Sequence, residues 1–454
     1  MKKVKFSKYV SMVFKTPDNS GSWFGYYNYD PLNYNQMKLL CSRAEHDAEL
    51  PRKGYNVEVG YYDIESGEWH KVGMSDSYSW PQACMSQWLP GNGNESKIIY
   101  NTSDGKKNIA IIHDLTSKEN MVVDWSIYGI IPPQGNKSIA LVMERSHWCR
   151  AYHYESVSDK KYDGKVYEED GVYEIDLKNN TRKKLISIQQ IIAMDYEDYF
   201  KDAKHWLEHI MISPNGKRFC FLHRFTLGSL NDYETRLFIA DIDGGNLQCV
   251  NGWKEYYWSH FGWNGDEAFV IYSYKSNIHN RILSHYKKTH SNNKAELSNC
   301  LSIKTFVKDI CKMIFHVIPL SYRKRIRLVM GKQNSYYQYY KSSNRGFELV
   351  SCFKNPEFSV DGHPSFTNDG KYMITDTYPH PNKYQDLMIY NMETHKVVIV
   401  CSLYAALDKK PGSCDLHPKL CKNNDYVAID SAHDGQHHLI LLKINWDKVK
   451  QKIG

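Results

Sequence analysis

Four histidines of this chain fall at one position of a repeated unit, and neutral imidazoles gathered in one cleft are the commonest protein route to a divalent transition metal. His363 opens the stretch Gly362-His363-Pro364-Ser365-Phe366-Thr367-Asn368-Asp369-Gly370-Lys371-Tyr372, a polar turn followed by an apolar run. That is the layout of two short strands joined by a hairpin. His209, His260 and His417 each precede a turn of the same kind. A structural repeat accounts for the turns and strands, but it does not demand histidine every time. Gln87, in Gln87-Trp88-Leu89-Pro90, stands at the comparable point of an earlier unit.

The far ends of the same hairpins carry a second set of reactive side chains. They are His223-Arg224, Asp376-Thr377-Tyr378, Asp430-Ser431-Ala432-His433 and, from an earlier unit, Glu144-Arg145. An arginine can neutralise the carboxylate of an acidic sugar, and a histidine or tyrosine beside it can move a proton. A Gly-x-Ser-x-Gly elbow, a phosphate-cradling glycine loop and a His-Glu-x-x-His helix are all missing from the sequence. No pair of acids repeats at the inner position as histidine does, which argues against paired-carboxylate glycoside hydrolysis.

To bring such residues together the chain must return them to one place, and its repeat does so. A strand ending in Asp or its equivalent before a turn recurs at Asp63, Asp114, Asp176, Asp241, Lys341, Asn391 and Lys443, in steps of 51, 62, 65, 100, 50 and 52 residues. Seven copies of about four short strands predict an all-β fold, a seven-bladed β-propeller spanning residues 1–454 as one domain. The first strands of the blades then surround one channel, where Gln87, His209, His260, His363 and His417 converge. The segment Tyr9-Val10-Ser11-Met12-Val13-Phe14 is expected to supply the last blade's missing outer strand and close the ring.

The long step places an insertion at 276–333, in the fifth blade. Leu301, Phe306, Ile310, Met313, Ile314 and Val317 lie at helical spacing, and Arg323–Arg327 follows with four basic residues in five. The spacing predicts a helical lid or docking arm, with 301–327 available for a protein or membrane-surface contact.

Composition sets the remaining bounds. Charged residues make up 24% and aromatics 14%, with 35 tyrosines, which suits strands and sugar-stacking surfaces. A net charge of +7 is compatible with an acidic ligand but lacks the clustered basicity of a nucleic-acid binder. The 11 cysteines form no CxxC pair and read as buried thiols, and the absence of a long apolar span makes the cytoplasm the expected location.

The runs Gln82 to Pro90, Glu208-His209 with His223-Arg224, Ser259-His260-Phe261-Gly262-Trp263, Gly362-His363 through Tyr378, and Cys414-Asp415-Leu416-His417 through His433 resemble the oligogalacturonate lyase family and its bacterial propeller relatives. The resemblance covers nearly everything outside 276–333. It implies cleavage of short uronic-acid oligosaccharides by β-elimination, with a manganese-type ion held by three histidines and a glutamine. Carried onto this sequence, the ligands are His260, His363 and His417 with Gln87 as fourth. His223 and Arg224 are the catalytic pair, with Tyr378 as a further candidate base, while Arg145 and His433 stand ready for substrate. The residues leave a second reading open, a non-catalytic propeller that binds an acidic glycan or a protein partner.

Overall fold

In a computed structural model, residues 3–149, 154–228, 230, 232–276, 279, 286 and 335–454 are described. Their strands form seven antiparallel sheets in chain order, the blades of a β-propeller. Blade 4 takes Lys204–Ile212, Arg218–Thr226, Glu234–Asp241 and Gln248–Cys249; blade 5 takes Tyr256–Trp263, Ala268–Lys275, Ser335–Ser343 and Gly346–Phe353. Blade 6 is built on Ser365–Phe366, Tyr372–Asp376, Tyr384–Asn391 and Val397–Tyr404; blade 7 begins with Lys419–Leu420, Tyr426–Ser431 and His438–Ile444. In each the first strand lies innermost, and the first strands of blades 3 and 4, 5 and 6, and 6 and 7 touch.

The recurring Asp of the sequence ends the third strand of blades 1 to 4, as Asn391 does in blade 6, and the structure gives its reason. Asp63 Oδ1 accepts from the amides of Glu65 and Ser66, Asp176 Oδ1 from Lys178 and Asn179, and Asn391 Oδ1 from Glu393 and Thr394. These are side-chain-capped turns that lead into the outer strand. Middle strands are packed between neighbouring blades and buried on both faces, as in Phe219–Thr226. They therefore read as continuous apolar runs and not as alternating ones.

The ring closes as the N-terminal pattern predicts. Val10–Lys15 pairs with His438–Ile444 as the outer strand of blade 7. The preceding segment goes further, since Val4–Phe6 pairs with Val397–Tyr404 and adds a fifth strand to blade 6. Buried Val449 and Ile453 seat the helix Trp446–Ile453 next to the same blade, where Asn391 and Thr394 bond its last carbonyls.

Ala268–Lys275 pairs directly with Ser335–Ser343, so residues 276–334 interrupt the hairpin between the second and third strands of blade 5 and leave the inner strand intact. The expected helix and its 301–327 contact surface lie outside the described residues. Among the described residues no helix is long and apolar enough to cross a membrane.

Two irregularities position the centre. The inner strand of blade 4 shifts register between Glu208 and Met211, and that of blade 5 between Trp258 and Phe261. In each case two residues oppose one, a β-bulge that re-aims a side chain. His209 is the first residue of the blade 4 bulge and His260 the second of the blade 5 bulge.

Candidate metal centre and surrounding site

The four repeat-position histidines do meet. Ring centroids of His260 and His363 are 4.0 Å apart, those of His363 and His417 are 4.3 Å apart, and His209 stands 6.1 Å from His260. All four are buried. His209 and His417 hold the left-handed backbone region, at φ 55° and 43°. Non-glycine residues are uncommon there and concentrate at functional sites.

The centre is floored by two residues that the periodicity does not point to. After the first blade's inner strand the chain turns at Gly25, with φ 99°, where a Cβ would lie 2.7 Å from the backbone of Gln82. This sends Tyr26 and Tyr27 into the channel. The Tyr27 ring packs 5.1 Å from His363 and 6.2 Å from His417, and its hydroxyl donates to the Phe261 carbonyl at 2.6 Å. Tyr26 hydrogen-bonds His209 Nδ1 through its hydroxyl. Asp430 holds the loop, accepting from the amides of Phe24 and Gly25 at 2.8 and 2.9 Å and from buried Lys419 at 2.6 Å.

Three of the four histidine rings have a carboxylate beside them, and His417 is held by one through its backbone amide. Asp376, fully buried, accepts from His363 N at 2.7 Å and His363 Nδ1 at 2.9 Å through Oδ1, and from the His417 amide at 3.1 Å through Oδ2. Gly362 makes this approach feasible, because a Cβ there would lie 1.9 Å from the Asp376 carbonyl oxygen. His260 Nδ1 lies 3.2 Å from Asp361 and 3.2 Å from Ser259 Oγ. Burial alone would push the Asp361 carboxyl up; the His260 charge and hydrogen bond outweigh it and hold it below the usual carboxylate range. His209 Nε2 lies 3.2 Å from Glu208.

Burial keeps three of these imidazoles neutral. It depresses His209 to about 4, lowers His363 and carries His417 well below its ordinary value. Neutral imidazole is the form that ligates a metal. The ligand atoms of His363, His417 and Asp415 lie within 4.8 Å of one another, the spacing of a set that could hold an ion. The donor chemistry fits. Asp376 fixes the Nδ1 proton of His363, while His363 Nε2 is buried with no hydrogen-bond partner among the described residues, the carboxylate–histidine arrangement behind many metal ligands. Asp415 is pushed up to about 7 by burial and by neighbouring Asp376, a state an incoming cation would relieve. A second group of close ligand atoms, Asp18, Asp434 and His438, lies at the blade 7 hairpin.

Of the remaining sequence candidates, the structure brings two to the centre. The Tyr378 ring lies 5.9 Å from His260 and 5.7 Å from His363. Arg224 is buried and donates to Glu208 at 2.9 Å, which in turn faces His209.

Four candidates stand elsewhere, each for a visible reason. Gln87 is engaged by backbone: its Nε2 donates to the carbonyls of Met85 and Tyr128, and its Oε1 accepts from Ile130. Arg145 turns into the wall of blade 3, where it donates to the carbonyls of Tyr162, Lys165 and His205. His433 sits beside Ser431 and His438 on blade 7. His223 and Arg224 are adjacent in a strand, so their side chains point to opposite faces of the sheet. Arg224 faces the Glu208 side, and His223 faces buried His205, whose Nδ1 lies 3.0 Å from His223 Nε2.

The His205–His223 pair yields a pH prediction. His205 Nε2 lies 2.8 Å from the Phe200 carbonyl, so it donates there and Nδ1 accepts from His223. Burial lowers His205 to about 4 and His223 well below its ordinary value. The unfolded chain binds protons at about 6.5 and the folded one does not, so stability falls as pH drops from about 6.5 toward 4. Asp170, raised to about 7 by burial, works in the opposite sense across the same range. The comparison of wild type with His223→Gln isolates the His223 contribution, because Gln donates the same bond without titrating. The urea midpoint is expected to fall less between pH 7 and pH 5 in the variant.

No protein-family model matches the chain, and no curated protein matches it in sequence. Solved structures do. An oligogalacturonate lyase in complex with manganese aligns over 98% of this chain and 96% of its own, at 14% identity and a TM-score of 0.56. The oligogalacturonate lyase of Vibrio parahaemolyticus aligns over 97% and 96%, at 12% identity and a TM-score of 0.56. At such identities the likeness is one of architecture, and over nearly its whole length this chain has the seven-bladed propeller fold of the oligogalacturonate lyases.

Proposed function

We propose that this protein cleaves short uronic-acid oligosaccharides by β-elimination, with His363, His417 and Asp415 holding a divalent ion of the manganese type beside His260. The observation that carries the reading is His363, whose Nδ1 is held by Asp376 while its Nε2 is buried without a partner among the described residues, beside two further imidazoles. The manganese-bound neighbour of the same fold supports it. When bound, such an ion supplies a Lewis acid that draws charge from the substrate's C6 carboxylate and acidifies the C5 proton.

The protein's own groups supply the rest. Arg224, oriented by Glu208, binds the carboxylate; a guanidinium keeps its proton and is a poor base. His260 takes the C5 proton on Nε2, because Asp361 and Ser259 hold its Nδ1 side. The C5–H electron pair becomes the C4–C5 double bond. The C4–oxygen bond breaks, and the leaving oxygen takes a proton from the Tyr378 hydroxyl, whose ring adjoins His260.

Incubation with uronic-acid oligosaccharides is expected to raise the absorbance of the unsaturated uronate product. A chelator abolishes the rise and manganese restores it. Binding without product would mark a non-catalytic acidic-glycan binder, and neither binding nor product would overturn the reading.

A further inference from the structure

Between blades 2 and 3, away from the histidine centre, lies a cleft of about 280 Å³ walled by aromatic rings and rimmed by cations. Its size is close to the lower end of ligand pockets, which run ~300–1,000 Å³, and suits one or two sugar rings. Arg182 reaches across it, with its guanidinium 4.4 Å from the Tyr173 ring centroid and 5.5 Å from that of Trp125. Lys107 lies 5.8 Å from the same Trp125 ring, and Lys161 lies 4.9 Å from Tyr162.

The charges are not balanced from within. The two acids of the cleft are already engaged, Glu144 by the Asn108 amide at 2.9 Å and Glu169 by Lys184 at 2.7 Å. Lys107 and Lys161 have exposed carboxylates at 3.4 and 3.5 Å, contacts that water screens. Arg182 has no carboxylate or hydrogen-bond partner among the described residues. A planar guanidinium laid on aromatic faces presents its fork to a carboxylate. Aromatic walls with a cationic rim call for a ligand with a ring-shaped, partly apolar body and a negative charge.

One wall gives the cleft its direction. Leu141 and Val142 line it on one side and, on the other, line the crevice that reaches Glu208 and His209. The cleft and the histidine centre are therefore separated by one segment of blade 3.

We infer that this cleft is a second binding subsite, which takes a uronate unit of an oligosaccharide whose reacting unit lies at the histidine centre. The inference rests on the proposed lyase reading for the identity of its ligand. It predicts that affinity grows with chain length up to the oligomer that spans both sites.

The test is calorimetric titration of full-length protein carrying His260→Gln, which blocks turnover, with uronate oligosaccharides from dimer upward. Neutral oligosaccharides of equal length serve as controls. Adding Arg182→Ala and Lys161→Ala, both at exposed positions, is expected to weaken the longer uronates at least about tenfold, as for loss of charge-assisted contacts, and to leave the dimer unchanged. Equal affinities with and without the cleft substitutions, equal loss for the dimer, or no uronate binding at any length would overturn the subsite. The lyase reading fails separately, if wild type binds the oligosaccharides but releases no unsaturated product.

Discussion

His260→Gln is expected to lower kcat by about 100- to 10,000-fold, the usual contribution of a positioned general base, while the protein retains its metal. His260 lies 4.0 Å from His363 between ring centroids, yet the close-set ligand atoms are those of His363, His417 and Asp415. Its Nδ1 side is held by Asp361 at 3.2 Å, which orients the ring and stabilises the imidazolium formed when Nε2 accepts a proton. Glutamine fills similar space and keeps a donor toward Asp361, but it cannot take the proton. Three measurements separate base from ligand. Metal content by elemental analysis should match wild type, KM should change far less than kcat, and added imidazole should partly rescue His260→Ala. Metal lost together with activity would return His260 to the ligand set that the family resemblance implies.

That revision shows what the sequence could and could not carry. Blade number, ring closure and the convergence of His209, His260, His363 and His417 were legible, because turn chemistry and inner-strand position repeat every 50 residues or so. What distinguishes one histidine from another was not legible. It depends on the carboxylate behind each ring, and Asp361 and Asp376 reach theirs across loops whose course no periodicity specifies. Asp415, two residues before His417, was in plain view; its role appears only once burial beside Asp376 has raised its carboxyl. Tyr26 and Tyr27 come from a blade without an inner histidine, so the repeat gave no reason to look there, although Gly25 before two tyrosines was a signal. Alternation separates His223 from Arg224, and the strand reading already contained that fact. Arg145 and Gln87 stand apart for a different reason. Both look functional as residue types, and both are engaged by backbone carbonyls or amides that only the folded chain brings near.

Asp376 is the residue on which blades 6 and 7 and the proposed metal centre all depend, and its replacement is expected to have the largest structural effect. Both oxygens are engaged: Oδ1 accepts from the backbone and Nδ1 of His363, and Oδ2 accepts from the amide of His417. Asp376 and His363 side chains are wholly buried, so no water replaces these bonds when the carboxylate goes. Asp376→Ala leaves two backbone amides and an imidazole N–H without acceptors, and a loss of at least about 3 kcal/mol is expected, at about 1–3 kcal/mol for each buried donor left unpaired. Asp376→Asn is milder but not neutral. Its amide keeps one acceptor oxygen and points a donor at either His363 or His417, so about 1–3 kcal/mol should be lost for the group left unpaired. The same variant frees the His363 ring to change tautomer, and metal affinity should fall about 10- to 100-fold, the usual effect of removing a carboxylate behind a ligating histidine. Urea unfolding of metal-free protein reads the first effect and titration with manganese reads the second. Asp376→Asn with wild-type stability but weakened metal binding would confine the residue to orienting His363; unchanged metal binding with lowered stability would make it a structural clamp alone and would remove the support that His363 gives to the metal reading.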